Sequence, residues 1–509
     1  MFARTYGATT FGVDGLIIDV EVDSAAGLPG FNIVGLPDTS VKESKERVRT
    51  AIRNSGIRLR QENVTINLAP AAIRKDGAGL DLPIAVGLLA AYGVIPQAML
   101  EKSLFVAELS LEGECRSVHG ILSMAIQAKA QGMTELFVAR DNVNEALLVD
   151  GIHVYAMENL SQLVQFLNGG EDIEPAEAKE AEESTVGGLP DDFADVQGQY
   201  QAKRALEIAA AGGHNVLMVG VPGAGKTMLA RRVSTILPVL SKEEALEVTK
   251  IYSIAGLLPR NGGLVTKRPY RSPHHTASMT AMVGGGSIPR PGEVTLAHHG
   301  VLFLDELPEF SKKTLEVLRE PIEDQKITVA RIHATVTYPA SFMLITSLNP
   351  CPCGFLGDPD HECSCTPAEI KRYMRRISGP LLDRIDIHIR VPRVKYEDLA
   401  SKKKAESSAA IRQRVEQARQ IQRKRLQPYG LFCNAQMSHA VIRKECPLGK
   451  DAQQLLAQAF EHLLLSARSY DRIIKVARTI ADLAGAQDIA AMHIAEAIQL
   501  RNDIGLSVD

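Results

Sequence analysis

Apolar residues recur along this chain with two different periods, and the period changes with position. In the first third, short runs such as 16–22 and 64–68 have the alternating or continuous apolar pattern of strands. Between them, residues 40–55 repeat their apolar positions every three to four residues, as one face of a helix does. This mixture predicts an α/β or α+β domain over residues 1–170. Residues 84–95 carry no charge for 12 positions, well short of the roughly 20 that span a bilayer, and read as a buried helix. A second α/β block follows over 191–393. Past it the strand-like runs give way to amphipathic stretches at 406–426, 451–465, 468–484 and 490–501, which predict an all-helical domain over 394–509.

Length and composition agree with several globular domains. At 509 residues the chain is too long for one ordinary domain, and about 150 residues per domain suggests three. With 45% hydrophobic and 23% charged residues, it is neither disordered, fibrous nor an integral membrane protein. A net charge of −3 creates no global attraction for nucleic acid or an anionic membrane, but leaves local basic patches open. Residues 1–7 contain no apolar core of a signal peptide, so a cytoplasmic location is expected. Residues 171–183 hold seven acids and one lysine, and with the following Ser-Thr-Val-Gly-Gly they read as a solvated acidic linker over 171–190. Nine cations crowd residues 402–425 against Glu406 and Glu416; a solvated helix face and a nucleic-acid or subunit contact are the two readings. Seven cysteines, an odd number, argue against a disulfide framework.

The chemistry concentrates in the second block. Asn215-Val216-Leu217-Met218-Val219 reads as a strand, followed by Gly220-Val221-Pro222-Gly223-Ala224-Gly225-Lys226-Thr227 and a helix-forming run at 228–237. This is a phosphate-binding loop in its strand–loop–helix context. Glycines let backbone N–H groups turn toward phosphate oxygens, and the helix N-terminus adds partial positive charge. Lys226 would neutralise the β- and γ-phosphates of ATP, and the Thr227 hydroxyl would bind Mg²⁺. A second apolar strand, Val301–Leu304, ends in Asp305-Glu306, seventy-eight residues after Thr227. Open α/β sheets bind ligands at the carboxyl ends of their strands, so Asp305 would hold Mg²⁺ through water and Glu306 would polarise the attacking water. A third strand, 341–346, leads to Ser347-Leu348-Asn349-Pro350, where Asn349 is either a hydrogen-bond donor to the γ-phosphate or part of an ordinary Asn-Pro turn.

Together these motifs resemble an AAA+ ATPase. Arg271-Ser272-Pro273-His274-His275-Thr276-Ala277-Ser278 and Leu381-Leu382-Asp383-Arg384-Ile385-Asp386 are similar to the magnesium-chelatase-like branch, and with the N-terminal block the resemblance to the ComM/YifB family covers nearly the whole chain. The resemblance implies a P-loop AAA+ α/β core, a C-terminal helical lid and a homohexamer. It also implies DNA, branched or single-stranded, as substrate, since one member is a branch-migration helicase acting in recombination during natural transformation. It assigns Val196 to the adenine-contacting segment, Arg384 to an arginine finger reaching the neighbouring subunit's γ-phosphate, and Arg468 to a phosphate-sensing arginine of the lid. The alternative within the same family is a chelatase-type remodeller of a protein partner without DNA activity.

Two local patterns carry further expectations. Residues 326–338 alternate like two short strands, at the place where the related minichromosome maintenance helicases carry a pore hairpin. Lys326 and Arg331 there would track DNA phosphates without reading sequence, or simply face solvent. Cys351-Pro352-Cys353 and Cys363-Ser364-Cys365 offer four thiolates for a tetrahedral Zn²⁺ site, or remain reduced, partly buried thiols. Residues 67–85 resemble the proteolytic domain of Lon, an S5-type α+β fold. Lon proteases place a nucleophilic serine after Lys-Asp-Gly, where this chain has Ala78-Gly79-Leu80, and a lysine where it has Leu122. Without nucleophile and base, no peptidase chemistry is expected.

Overall fold

The computed structural model describes residues 1–75, 77–177, 191–259, 262–286, 289–331, 334–394, 405–462 and 466–501. Contacts divide the chain into two compact units. One comprises Met1–Val186, Lys242–Val265 and Ala330–Val336; the other comprises Gly187–Ser241, Thr266–Val329 and Thr337–Asp509. Among the described residues no helix is long and apolar enough to cross a membrane.

The first unit is built on a seven-stranded mixed sheet. Its strands are β1 (Phe2–Phe11), β2 (Asp14–Ala25), β3 (Gly30–Val34), β4 (Asn63–Ala69), β5 (Ser103–Val106), β6 (Glu135–Ala139) and β7 (His153–Met157), in the order β3-β4-β2-β1-β5-β6-β7. β1, β2 and β4 pair antiparallel and alternate buried with exposed residues, as a sheet with one solvated face does. β5, β6 and β7 are parallel, and their rings Phe105, Phe137 and Tyr155 stack at 4.8 and 4.9 Å.

Helix α1 (Thr39–Asn54) starts at Asp38, whose carboxylate accepts from the Val41 N–H, and it buries Val41, Val48, Ala51 and Ile52. Helix α2 (Asp81–Ala91) is buried on nearly every side, which is why its sequence shows no amphipathic stripe; the uncharged run continues past its end to Ile95. The helix Lys242–Ile254 belongs to this unit and packs on α3 (Ile121–Ala130): the Ser253 hydroxyl accepts from Gly120 N–H at 2.8 Å and donates to Glu145.

The second unit holds a five-stranded parallel sheet. Helix α4 (Tyr200–Gly212) precedes β8 (Val216–Val219), and α5 (Lys226–Ile236) follows it; then come β9 (Tyr270–Arg271) and β10 (Val301–Leu304). A separate two-stranded sheet, β11 (Lys326–Arg331) and β12 (Ala334–Pro339), of which Ala330–Val336 count with the first unit, precedes β13 (Met343–Leu348), α6 (Pro367–Met374) and β14 (Ile387–Arg390) in sequence. The sheet order is β9-β10-β13-β8-β14. Past β14 the α-helices among the described residues are α7 (Ser408–Leu426), α8 (His439–Glu445), α9 (Lys450–His462), α10 (Ala467–Leu483) and α11 (Ala491–Gln499). They share one hydrophobic core with the sheet, in which Ile411, Val415 and Ile473 cluster with Ala205, Val216 and Ile387. Of the cations in the basic tract, Lys402, Lys403 and Lys404 lie outside the described residues. Arg414 bonds Glu207 at 2.6 Å, Arg419 the Ala210 carbonyl at 3.0 Å and Arg425 Asp482 at 2.6 Å. These three arginines fasten α7 to its own unit, a use that neither reading of the tract anticipated.

Unit one also carries a buried ion pair: Arg47 Nε meets Asp81, whose side chain is fully buried, at 2.8 Å. Replacing Arg47 with Met leaves that carboxylate without its cation. We expect a loss of roughly 3–5 kcal/mol in this unit, read as an earlier transition in urea denaturation followed by circular dichroism.

Candidate functional site: a phosphate-binding loop at three strand ends

The site is assembled at the carboxyl ends of β8, β10 and β13. Four apolar residues make β8 a fully buried strand, and the chain then turns through Gly220–Thr227 into α5. Gly223 and Gly225 take φ values of +78° and +89°, and a Cβ at Gly223 would meet nothing within 4 Å. The loop is therefore an open cradle in the left-handed backbone that glycine tolerates. Lys226, the first residue of α5, is only 8% exposed. Its Nζ donates to the carbonyls of Gly220 at 2.6 Å and Val221 at 3.1 Å and to Asn349 Oδ1 at 3.1 Å. Burial pulls this ammonium below its ordinary range, against the opposing pull of Asp305 and Glu306. A buried cation whose bonded partners are neutral oxygens is well placed to take an anion.

Asp305 collects the next groups. Its Oδ2 accepts from Thr227 Oγ1 at 2.7 Å, its Oδ1 from Glu306 N–H at 3.1 Å, and Ser347 Oγ donates to it as well. A hydroxyl and a carboxylate side by side are hard oxygen donors suited to Mg²⁺, so the residues fit the ion. Glu306 sits in left-handed backbone at φ +52°, an uncommon place for a non-glycine residue and one often found at functional sites. Its side chain is half exposed and opens on a cavity of about 410 Å³. Asn349, Arg372, Tyr373, Arg376 and Glu309 also line that cavity. Arg376 pairs with Glu309 at 2.9 Å. Burial pushes the Tyr373 hydroxyl up to about 12 where it meets the Asn349 backbone.

The structure thus brings Lys226, Thr227, Asp305, Glu306 and Asn349 together. Val221 and Ala224 are buried within the loop, and Gln199 Nε2 donates to the Ala224 carbonyl at 3.2 Å. Val196 is buried at the end of the turn Phe193–Asp195, which Arg232 of α5 holds through the Asp192 carbonyl at 2.8 Å. Arg384 and Arg468 lie elsewhere. The Arg384 carbonyl accepts from Asn215 Nδ2 at 3.3 Å, just before β8 and so at the end of the sheet opposite the loop. Its guanidinium, 5% exposed, pairs with Glu323 at 2.7 Å and donates to Pro380 O, and its Nε finds no acceptor among the described residues. Arg468 is exposed at the start of α10 and lines a second cavity of about 590 Å³ with His439, Phe460, Tyr470 and Asp471.

Lys326 is exposed on β11, whose Ile327 and Val329 are buried; the Arg331 side chain lies outside the described residues. Cys351, Cys353, Cys363 and Cys365 hold their sulfurs within 4.8 Å of one another. In the first unit Gly79, Leu80 and Leu122, which the Lon resemblance set against nucleophile and base, are buried, and Ala78 is half-buried.

Sequence reasoning missed Ser347 as a partner of Asp305, because a serine near a strand end reads as a turn. It also missed Arg372, Tyr373 and Arg376, which a strand-by-strand search does not reach. Saturating Mg-ATP at about 100 times its Kd should stabilise the second unit by about 2.7 kcal/mol. Lys226→Ala should abolish that gain, measured as a thermal shift with and without nucleotide.

Comparison with known proteins matches three stretches of the chain. The description "Magnesium chelatase, subunit ChlI" matches residues 192–399, "Subunit ChlI of Mg-chelatase" residues 20–142, and "Magnesium chelatase, subunit ChlI C-terminal" residues 405–501. The chain is 43% identical over 503 residues to competence protein ComM of Haemophilus influenzae, covering 98% of this chain and 97% of the other. It is 45% identical over 504 residues to YifB of Salmonella typhimurium, again covering 98% and 97%. A shorter similarity, 31% over 151 residues, relates 27% of the chain to Lon protease 2 of Bacillus subtilis. The Lon likeness is therefore partial, whereas the full-length matches show that the chain belongs to the ComM/YifB family of magnesium-chelatase-like AAA+ ATPases.

Proposed function

We propose that the chain is a Mg-ATP-dependent motor that acts on DNA as a homohexamer, a branch-migration helicase of the kind the family resemblance implies. What supports this most is the division of the site: five phosphate-facing groups converge at one end of the sheet, while Arg384 lies at the other. Lys226 would exchange its carbonyl partners for phosphate oxygens, and Asn349 would then be free to orient the γ-phosphate or the water beside it. Thr227 and Asp305 would hold Mg²⁺, which when bound supplies Lewis-acid polarisation of the phosphate oxygens. Glu306 faces the cavity and would accept the proton of the attacking water. Catalysis of this kind is mostly positioning and cations on the developing charge, and in this reading a neighbouring chain would add one more cation to the site. Arg384 from a neighbouring chain would supply it by leaving Glu323, and Arg468 would sense the phosphate from the helical lid.

DNA would be engaged by the β11–β12 hairpin, with Lys326 and Arg331 meeting phosphates. The four-cysteine loop would hold Zn²⁺. The sequence segments 1–170, 191–393 and 394–509 would serve as assembly domain, motor core and lid, with the acidic linker 171–190 after the first.

The test measures ATP hydrolysis with and without branched or single-stranded DNA, using Lys226→Ala as the blank. We expect DNA to stimulate turnover, and stimulation to fade as salt rises because phosphate contacts release counterions. The double variant Lys326→Ala, Arg331→Ala should keep DNA-free hydrolysis and lose the stimulation. Hydrolysis with neither stimulation nor DNA binding at low salt would replace the DNA motor with the remodeller of a protein partner.

A further inference from the structure

The segment between β13 and α6 ties four thiols into one knot beside the phosphate-binding loop. Cys351 Sγ lies 3.3 Å from Cys353 Sγ and 3.7 Å from Cys363 Sγ, and Cys353 and Cys363 are 3.6 Å apart. Cys365 Sγ accepts from Cys353 N–H at 3.3 Å, and all four cysteines are free. A disulfide would need about 2.05 Å. The corners of a zinc tetrathiolate with bonds of ~2.3 Å stand about 3.8 Å apart. The spacing fits a metal and no disulfide.

The knot is wired into the nucleotide site at three places. Cys351, itself buried, stands two residues after Asn349, whose side chain touches Lys226. Cys365 directly precedes Thr366, which caps α6 in a reciprocal capping box with Glu369. That helix contributes Arg372 and Tyr373 to the cavity shared with Glu306 and Asn349. Between the two cysteine pairs, Gly354 takes φ +88°, and a Cβ there would stand 2.7 Å from Pro222 Cδ in the phosphate-binding loop. Away from the thiols this segment is anchored by a small outer layer, the Phe355 ring stacked on His361 at 5.0 Å and Arg393 paired with Asp358 at 3.3 Å. It contains no regular helix or strand from 351 to 365.

We propose that a zinc ion held by Cys351, Cys353, Cys363 and Cys365 is a positioning element of the ATP site. It rests on the zinc reading above and adds a role to it. The metal joins the end of β13 to the start of α6 and presses Gly354 onto Pro222. Asn349, Pro222 and the α6 side chains of the cavity then share one rigid support. Without the ion, the fifteen residues 351–365 keep only their outer contacts and gain freedom to move, and small displacements of phosphate-positioning groups cost rate steeply.

Full-length protein washed with a chelator is assayed for zinc by atomic emission, then stripped with a mercurial reagent and reduced. We expect close to one zinc per chain. Stripping should weaken binding of a non-hydrolysable ATP analogue and lower kcat/KM by about 10-fold or more, with helical content by circular dichroism unchanged. Stoichiometric Zn²⁺ should restore both. Cys363→His, which keeps a ligand, should retain zinc and affinity, whereas Cys363→Ser combined with Cys365→Ser should lose both. Because stripped or serine variants can unfold locally, Gly354→Val provides a second route: it should keep its zinc yet bind the analogue more weakly. No zinc in the wild-type chain would overturn the zinc reading itself. Zinc that is present, but whose removal and whose Gly354→Val contact both leave nucleotide affinity unchanged, would overturn the positioning role alone.

Discussion

Parallel pairing of β13 between β10 and β8 is the constraint on which the site depends. Val301 to Leu304 pair with Met343 to Thr346, and Val216 to Val219 pair with Ile345 to Leu348. The residues that follow are therefore set level: Asp305 stands beside Ser347, and Gly220 donates its N–H to Leu348 just before Asn349. A slip of one residue in β13 would turn its buried side chains to the other face. All six positions from Met343 to Leu348 are buried, so such a slip would strip the buried hydroxyls of Thr346 and Ser347 from the Val216 carbonyl and Asp305. The hydrophobic core thus fixes the distance from Lys226 to Asn349 and from Thr227 to Asp305, and the polar groups add the chemistry.

The other end of the sheet carries a second, drier network. Asp386 accepts from Asn215 N–H at 3.0 Å and pairs with Arg472 of α10. Burial alone would raise its carboxyl, but Arg472 and His214 outweigh that and hold it well below the usual carboxylate range. Arg472 also donates to the Arg384 carbonyl at 3.0 Å. The helix that carries Arg468 in its first turn is therefore bonded to the backbone of Arg384. A shift of α10 and a shift of Arg384 are mechanically linked, which under the proposed function would couple the roles given to Arg468 and Arg384.

Much of this was legible in the sequence where short-range pattern decides the outcome. The phosphate-binding loop, Asp305-Glu306 after an apolar strand, and the amphipathic helices α7, α9, α10 and α11 follow from local spacing and periodicity; the short helix α8 lies outside the four stretches so marked. β13 runs two residues further than its apolar run suggested, because Ser347 is buried in a parallel strand and bonded to Asp305, a fact only its neighbour reveals. Tertiary partners decided the rest. Arg414, Arg419 and Arg425 look like a basic face until Glu207, Ala210 and Asp482 appear opposite them. The helix Lys242–Ile254 lies between second-unit segments in sequence but packs with the first unit. Nor does any spacing show that Glu323 covers Arg384.

The central claim is that each ATP site needs groups from two chains, with the strand-end cluster in one and Arg384 in the next. Mixing Lys226→Ala chains with Arg384→Ala chains tests it directly, since each variant lacks what the other retains. Hydrolysis near zero for either variant alone, recovering to about a quarter of the wild-type rate in an equal, randomly assembled mixture, is the result the account predicts for a head-to-tail ring. Two inactive variants whose mixture stays inactive at every ratio, in rings shown to contain both, would contradict it.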